Sequence, residues 1–163
     1  MLFRSHRVQD QEGVNLFQSF SIYLRWRCQP FYSAYRSTAV KLGIIGYGNM
    51  ARAMLNGPLE SGALPPSDVI VSSRTMSRMA PLIERWPAVE TTSDNALAAR
   101  RSDILLICVR SEQVAAVMNE IRPLLSSAGH LVLINSGVRI ADVRADVPVS
   151  KAIPSITAEV GRG

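Results

Sequence analysis

A chain of 163 residues holds one ordinary domain and buries enough of its own surface to need no disulfide or metal staple. Only Cys28 and Cys108 are present, with His6 and His130 far apart, so no metal site is expected and a reducing, cytoplasmic setting is. The net charge of +5 is no nucleic-acid signature: residues 1–39 hold five arginines against two acids, residues 40–163 thirteen Lys or Arg against eleven acids, and no basic run there interleaves with aromatics.

The chain changes character near residue 40. Eight of its ten aromatic residues fall before that point, among them Phe17, Tyr23 and Trp26, which leaves Tyr47 and Trp86 for the rest. This leader shows no sustained period of 2 or 3.6. Its stretch from Leu16 to Trp26 is too short and polar to span a bilayer, and no membrane partner is expected. It lacks the compact apolar stretch of a secretory signal; its Arg and Ser content would suit an organellar transit peptide. The blander reading fits better: residues 1–39 are an unstructured or non-native leader, and residues 40–163 form one domain.

From Val40 onward strands and helices alternate, the pattern of a parallel sheet covered on both faces. Lys41 to Ile45 reads as a first strand. A helix from Asn49 to Ser61 follows, with Gly62 to end it and Pro58 to kink or shorten it. Asp68 to Ser73 is a second strand, β-branched through Val69, Ile70 and Val71. Residues 73–86 are helical in pattern, weakened by Pro81 and stopped by Pro87. A short strand near 89–91 and a brief helix over Asn95 to Arg100 come next. Asp103 to Val109, DILLICV, has the unbroken apolarity of a central strand. Ser111 to Leu125 reads as a helix capped by Ser111, with Val114, Val117, Met118, Ile121, Leu124 and Leu125 on one face. Leu131 to Ile134 and Val147 to Ile153 complete the strands. The fold class is α/β, a doubly wound parallel sheet of the Rossmann type in a single domain.

The first strand runs into Gly46, Tyr47, Gly48, Asn49, Met50 and Ala51, a G-x-G-x-x-A turn opening a helix inside a βαβ unit. The first glycine permits the tight turn. The second lets backbone approach a pyrophosphate, and Ala51 lets helix pack close on strand. Phosphates would then face free N–H groups at the positive end of the helix dipole. Glycines also end strands for structural reasons alone, but strand, turn and helix together point to a dinucleotide. Which one follows from the end of the second strand, where NAD enzymes place a carboxylate on the ribose 2′-hydroxyl. Ser72, Ser73 and Arg74 stand there instead, hydroxyls and a guanidinium suited to a 2′-phosphate, so the expected cofactor is NADP(H). Elsewhere in a chain Arg74 would be read as a solvated surface arginine. Cys108, inside its apolar run, reads as a small buried hydrophobe rather than a nucleophile, and His130 as structural.

GIIGYGNMA at 43–51, SSRT at 72–75, Asn95 ahead of DILLICV, and Pro154 ahead of Gly161 and Gly163 resemble the N-terminal domain of the Δ1-pyrroline-5-carboxylate reductase family over residues 40–163. By that resemblance Gly46 to Met50 hold the pyrophosphate, Ser72 to Arg74 the adenosine phosphate and Asn95 the adenosine ribose. Cys108, Val109 and Arg110, with Asn135, Ser136 and Gly137, would line the nicotinamide. No residue is given a catalytic role. Departures are equally informative: Val109-Arg110-Ser111 stands for Val-Lys-Pro, Asn135-Ser136 for two alanines, and Ile153-Pro154-Ser155-Ile156-Thr157 for Met-Pro-Asn-Thr-Pro. These look more like the reductase-related proteins of late-competence operons. In the family a helical domain follows, dimerising the protein and building most of the pyrroline pocket. The resemblance therefore implies an NADP(H)-binding half of an oxidoreductase that reduces a cyclic imine, as in proline biosynthesis, and that meets its imine only where a helical domain is supplied. A non-catalytic or regulatory NADP(H)-binding module and a truncated gene product are the alternatives.

Overall fold

A computed structural model of the protein describes residues 40–125 and 129–155. The leader, and the Ile156, Thr157, Gly161 and Gly163 positions of the resemblance, lie outside the described residues. Six parallel strands form one sheet: β1 (Leu42–Ile45), β2 (Val69–Ser72), β3 (Glu90–Thr92), β4 (Ile104–Ile107), β5 (His130–Leu133) and β6 (Val149–Lys151). Their order across the sheet is β3-β2-β1-β4-β5-β6. Four α-helices connect them: α1 (Asn49–Glu60), α2 (Ala80–Arg85), α3 (Asn95–Arg100) and α4 (Ser111–Ile121).

Alternation along the strands sorts the core into two layers. Ile44, Val69, Val71, Leu106 and Val132 pack with Ala51, Leu55 and Leu59 of α1 and Leu82 of α2. Ile45, Ile70, Leu105, Ile107, Leu131 and Leu133 pack with Ala98 and Ala99 of α3 and Val114, Val117, Met118 and Ile121 of α4. Two faces each carrying two helices is the doubly wound arrangement expected from the sequence. Ile44, Leu55, Ile107 and Leu131 are wholly buried, so truncating any one to Ala costs about 2–5 kcal/mol, transfer and cavity terms together.

Prolines explain most departures from the expected elements. Pro58 sits inside α1 without ending it. The helix reaches Glu60, and Gly62, at φ +70°, turns the chain away. Pro81 does not merely weaken a helix over 73–86. It lies in the first turn of α2, where its missing N–H costs nothing, and a 3₁₀ turn over Met76–Met79 precedes it. Residues 73–75 are consequently loop. Pro123 likewise halts α4 at Ile121 and leaves a 3₁₀ turn over Arg122–Leu124. Ser111 is not the cap of α4. Arg110 is, and its N–H donates to the Gln113 side-chain oxygen at 3.3 Å while the Gln113 N–H donates to the Arg110 carbonyl at 2.9 Å. His130 opens β5 and shares a 2.8 Å hydrogen bond through Nε2 with the Ser150 hydroxyl of β6, and burial holds its pKa below the ordinary value.

Candidate functional site

The strand order reverses between β1 and β4. β1 continues through α1 toward β2, whereas β4 continues through α4 toward β5, so their carboxyl ends part and leave a crevice. Register keeps that rim level: Ile45 pairs with Ser72 on one side and Ile107 on the other. A cleft of about 440 Å³ opens there.

Its floor is the glycine turn. Gly46 has φ +97°, its N–H donates to the Ser72 carbonyl at 2.9 Å, and a Cβ on it would stand 2.8 Å from the Cys108 carbonyl oxygen. Sterics and backbone conformation thus both demand glycine here. Gly48 is the complement: a Cβ there would meet nothing within 4 Å, because the space in front of it is the cleft. No side chain caps α1, and the first N–H to bond inward is that of Arg52, to the Gly48 carbonyl at 3.0 Å. The preceding N–H groups are left for a ligand. Tyr47 lines the cleft but is buried in the first core layer, and burial raises its pKa despite nearby Arg52. Asn49 and Met50 begin the helix and do not line the cleft.

At the end of β2, Ser72, Ser73 and Arg74 all line the cleft. Ser72 is wholly buried and its hydroxyl donates to Asn95 Oδ1 at 2.7 Å. Its one proton is therefore spent within the protein, so the sequence expectation that it donates to a phosphate does not hold for this arrangement. The Ser73 hydroxyl accepts the Thr75 N–H at 3.3 Å and shapes the loop. Arg74 and Arg78 both line the cleft, and neither belongs to any ion pair among the described residues. Asn95 is presented by the start of α3. Asp94 fixes that start, its Oδ1 accepting from the N–H of Ala96 at 2.8 Å and of Leu97 at 3.2 Å. Asn95 Nδ2 in turn donates to Glu120 Oε2 at 2.9 Å, tying α3 to α4.

The far end is made differently. Cys108, Val109 and Arg110 line the cleft at the end of β4. Cys108 is half-buried and burial pushes its thiol up to about 12, so it stays protonated at neutral pH. Asn135, Ser136 and Gly137, on the loop after β5, do not line this cleft. Asn135 Nδ2 donates to the Val109 carbonyl at 3.4 Å, and its Oδ1 is buried without a hydrogen-bond partner. Gly137 faces the other flank of α4, where a Cβ would come 2.6 Å from the Ser111 hydroxyl. Lys151 of β6 steadies this loop by donating from Nζ to the carbonyls of Ser136 and Val138, each at 2.8 Å.

Thr75, Arg78, Gln113, Ala116, Val117 and Glu120 line the cleft although the sequence reading assigned them no part in a site. The last four had a legible signal. They recur at helical spacing as one stripe of α4 that meets the apolar stripe filling the core at Val117. Arg78 stands four places after Arg74, a spacing that would have set both on one face of the expected helix, and it is the 3₁₀ turn over Met76–Met79 that brings it to the cleft instead.

Comparison with known proteins agrees with this geometry. Residues 41–135 match the model of the NADP oxidoreductase, coenzyme F420-dependent family. The chain belongs to that family. Its similarity extends to ComE operon protein 4 of Bacillus subtilis, 28% identical over 120 residues, covering 72% of this chain and 44% of the relative. It extends also to the pyrroline-5-carboxylate reductase of Pisum sativum, 29% identical over 108 residues, covering 66% of this chain and 39% of the relative. Among solved structures, a pyrroline-5-carboxylate reductase from Coxiella burnetii shares the fold at a TM-score of 0.69 and 24% identity, over 76% of this chain and 47% of that one. The Plasmodium falciparum pyrroline carboxylate reductase with NADP bound does so at 0.63 and 22%, over 74% and 44%. The chain thus spans less than half the length of these relatives.

NADP(H), the cofactor of this family of oxidoreductases, fits the residues present. The open approach at Gly48 leaves room for a pyrophosphate, and two guanidinium groups in no ion pair among the described residues line the same cleft, where β2 ends without a carboxylate of its own. Among the described residues no helix is long and apolar enough to cross a membrane, and no group of three or more His, Cys, Asp or Glu could hold a metal.

Proposed function

We propose that residues 40–163 are the NADP(H)-holding half of a pyrroline-5-carboxylate reductase-like enzyme, which delivers hydride to the carbon of a cyclic C=N bond. The observation that carries this reading is the cleft at the strand-order reversal, with an uncapped α1 facing it and Arg74 and Arg78 free on its wall. When bound, NADPH supplies the hydride. The glycine turn would hold the pyrophosphate and Arg74 with Arg78 the 2′-phosphate, while Cys108, Val109 and Arg110 would border the nicotinamide. The thiol of Cys108, held protonated, is a packing group in this scheme rather than a nucleophile.

The imine must be held about 3–3.5 Å from the nicotinamide carbon and shielded from water, and fixing both reactants contributes up to roughly 7–11 kcal/mol of the barrier. The described residues offer a half-open cleft that orients one reactant. On this proposal the second wall comes from a helical domain, and the 163 residues alone reduce pyrroline-5-carboxylate immeasurably slowly even with saturating NADPH. Adding the separately expressed helical half of a full-length relative should restore some turnover. Robust turnover by the 163-residue chain alone would show that its imine pocket is already complete. A second reading, an NADP(H)-binding module without turnover, draws on the similarity to ComE operon protein 4, whose name assigns no reaction. Absence of turnover in the reconstituted pair, with NADPH bound tightly, would favour it.

A further inference from the structure

The Ser72–Asn95–Glu120 chain leaves two hydrogen-bonding positions open at the phosphate end of the cleft. Ser72 fixes the Asn95 amide by donating to Oδ1, so the Nδ2 edge points toward α4. One Nδ2 proton goes to Glu120 Oε2; the other, like Glu120 Oε1, has no partner among the described residues. All three residues line the cleft together with Arg74 and Arg78. An amide N–H beside a carboxylate oxygen is a donor next to an obligate acceptor. That pair matches a hydroxyl, whose oxygen can take the amide proton while its own proton goes to the carboxylate. It does not match a phosphate, which is mostly dianionic at neutral pH and would bring like charge against Glu120.

We propose that Glu120 is a specificity-determining residue of this cleft: with Asn95 it reads the free 3′-hydroxyl of an adenosine 2′-phosphate and rejects the isomer phosphorylated at the 3′ position. The inference rests on the cofactor reading above. Arg74 and Arg78 supply cations, which attract a phosphate on either ribose oxygen. Glu120 supplies the repulsive element that makes the choice between them. Asn95 alone could not, because an amide edge donates to a hydroxyl and to a phosphate equally well.

Two small probes isolate the claim from the nicotinamide end: adenosine 2′,5′-bisphosphate and adenosine 3′,5′-bisphosphate, titrated by calorimetry into the full chain. The wild type should prefer the 2′,5′ isomer by on the order of tenfold or more, the scale of a hydrogen bond to a charged group. Glu120→Gln keeps size and an acceptor for Asn95 but removes the charge. It should weaken the 2′,5′ isomer about five- to tenfold and leave the 3′,5′ isomer unchanged or tighter, so that the preference collapses. Glu120→Ala should do the same. Circular dichroism melting checks that both variants are folded. An equal loss for both isomers is what a merely structural tie between α3 and α4 would give, and it would overturn the proposal, as would an unchanged preference in both variants. Binding of neither bisphosphate by the wild type would instead overturn the cofactor reading, and this inference with it.

Discussion

At the phosphate end of the cleft, hydrogen bonds link β2, α3 and α4 through Ser72, Asn95 and Glu120, and two unpaired arginines stand beside them. At the other end Cys108 and Val109 offer a half-buried apolar wall, and the loop carrying Asn135 to Gly137 turns to the far flank of α4. One end is organised before anything binds. The other carries Arg110 beside that apolar wall and no comparable chain of side-chain hydrogen bonds among the described residues. On the function proposed above, the difference separates two jobs: affinity and cofactor choice would come from residues within one domain, and chemistry at the nicotinamide from a second wall. Preorganisation at the first end keeps the ordering cost of binding low.

The largest effect is expected at the joint between the two ends. Gly46 is squeezed between the Ser72 carbonyl and the Cys108 carbonyl at φ +97°. Gly46→Val should abolish measurable NADPH binding and lower stability by about 1–3 kcal/mol through backbone strain alone, with displacement of the β4 end added. Calorimetric titration and denaturant melts check both. Undiminished binding would mean that the turn does not cradle the pyrophosphate.

Lys151→Met sharpens the comparison from the other side. Loss of its two carbonyl contacts should loosen the loop over 136–138, raising amide hydrogen exchange there, while the affinity for adenosine 2′,5′-bisphosphate stays within about twofold. A large affinity loss would show the two ends to be coupled.

The smallest effect concerns pH. Burial holds the folded pKa of His130 below its ordinary 6.5, so the unfolded chain binds the proton more readily. The contribution to stability is therefore fully present above about pH 6.5 and is lost as pH falls from there through the folded pKa. Melting temperatures recorded from pH 7.5 to 5 should decline less steeply in His130→Phe than in the wild type. Identical slopes would remove His130 from the account.

Sheet and turn were legible in the sequence because each rested on a signal with one physical meaning. An unbroken apolar run such as Ile104 to Ile107 can be buried on both faces only in a central strand, and Gly46 followed by Gly48 between strand and helix fits few other purposes. Boundaries were less legible where proline decided them. Pro58 was tolerated near a helix end, whereas Pro81 moved a helix start by several residues and so turned Ser73 to Thr75 into the loop that borders the cleft. Side-chain pairings were not legible at all. Nothing local in the sequence says that Ser72 spends its proton on Asn95, 23 positions away, or that Asn95 reaches Glu120 a further 25 positions on. Those contacts depend on the strand order, which brings β2, α3 and α4 to one rim.

The most direct test of the central claim is a calorimetric titration of the 163-residue chain with NADPH and with NADH under one buffer and salt condition. NADPH should bind more tightly, and Arg74→Ala should remove about 1.5–3 kcal/mol of that affinity while leaving NADH nearly unaffected, as loss of a charge-assisted contact would. Equal affinities in the wild type, or a preference for NADH, would contradict the account.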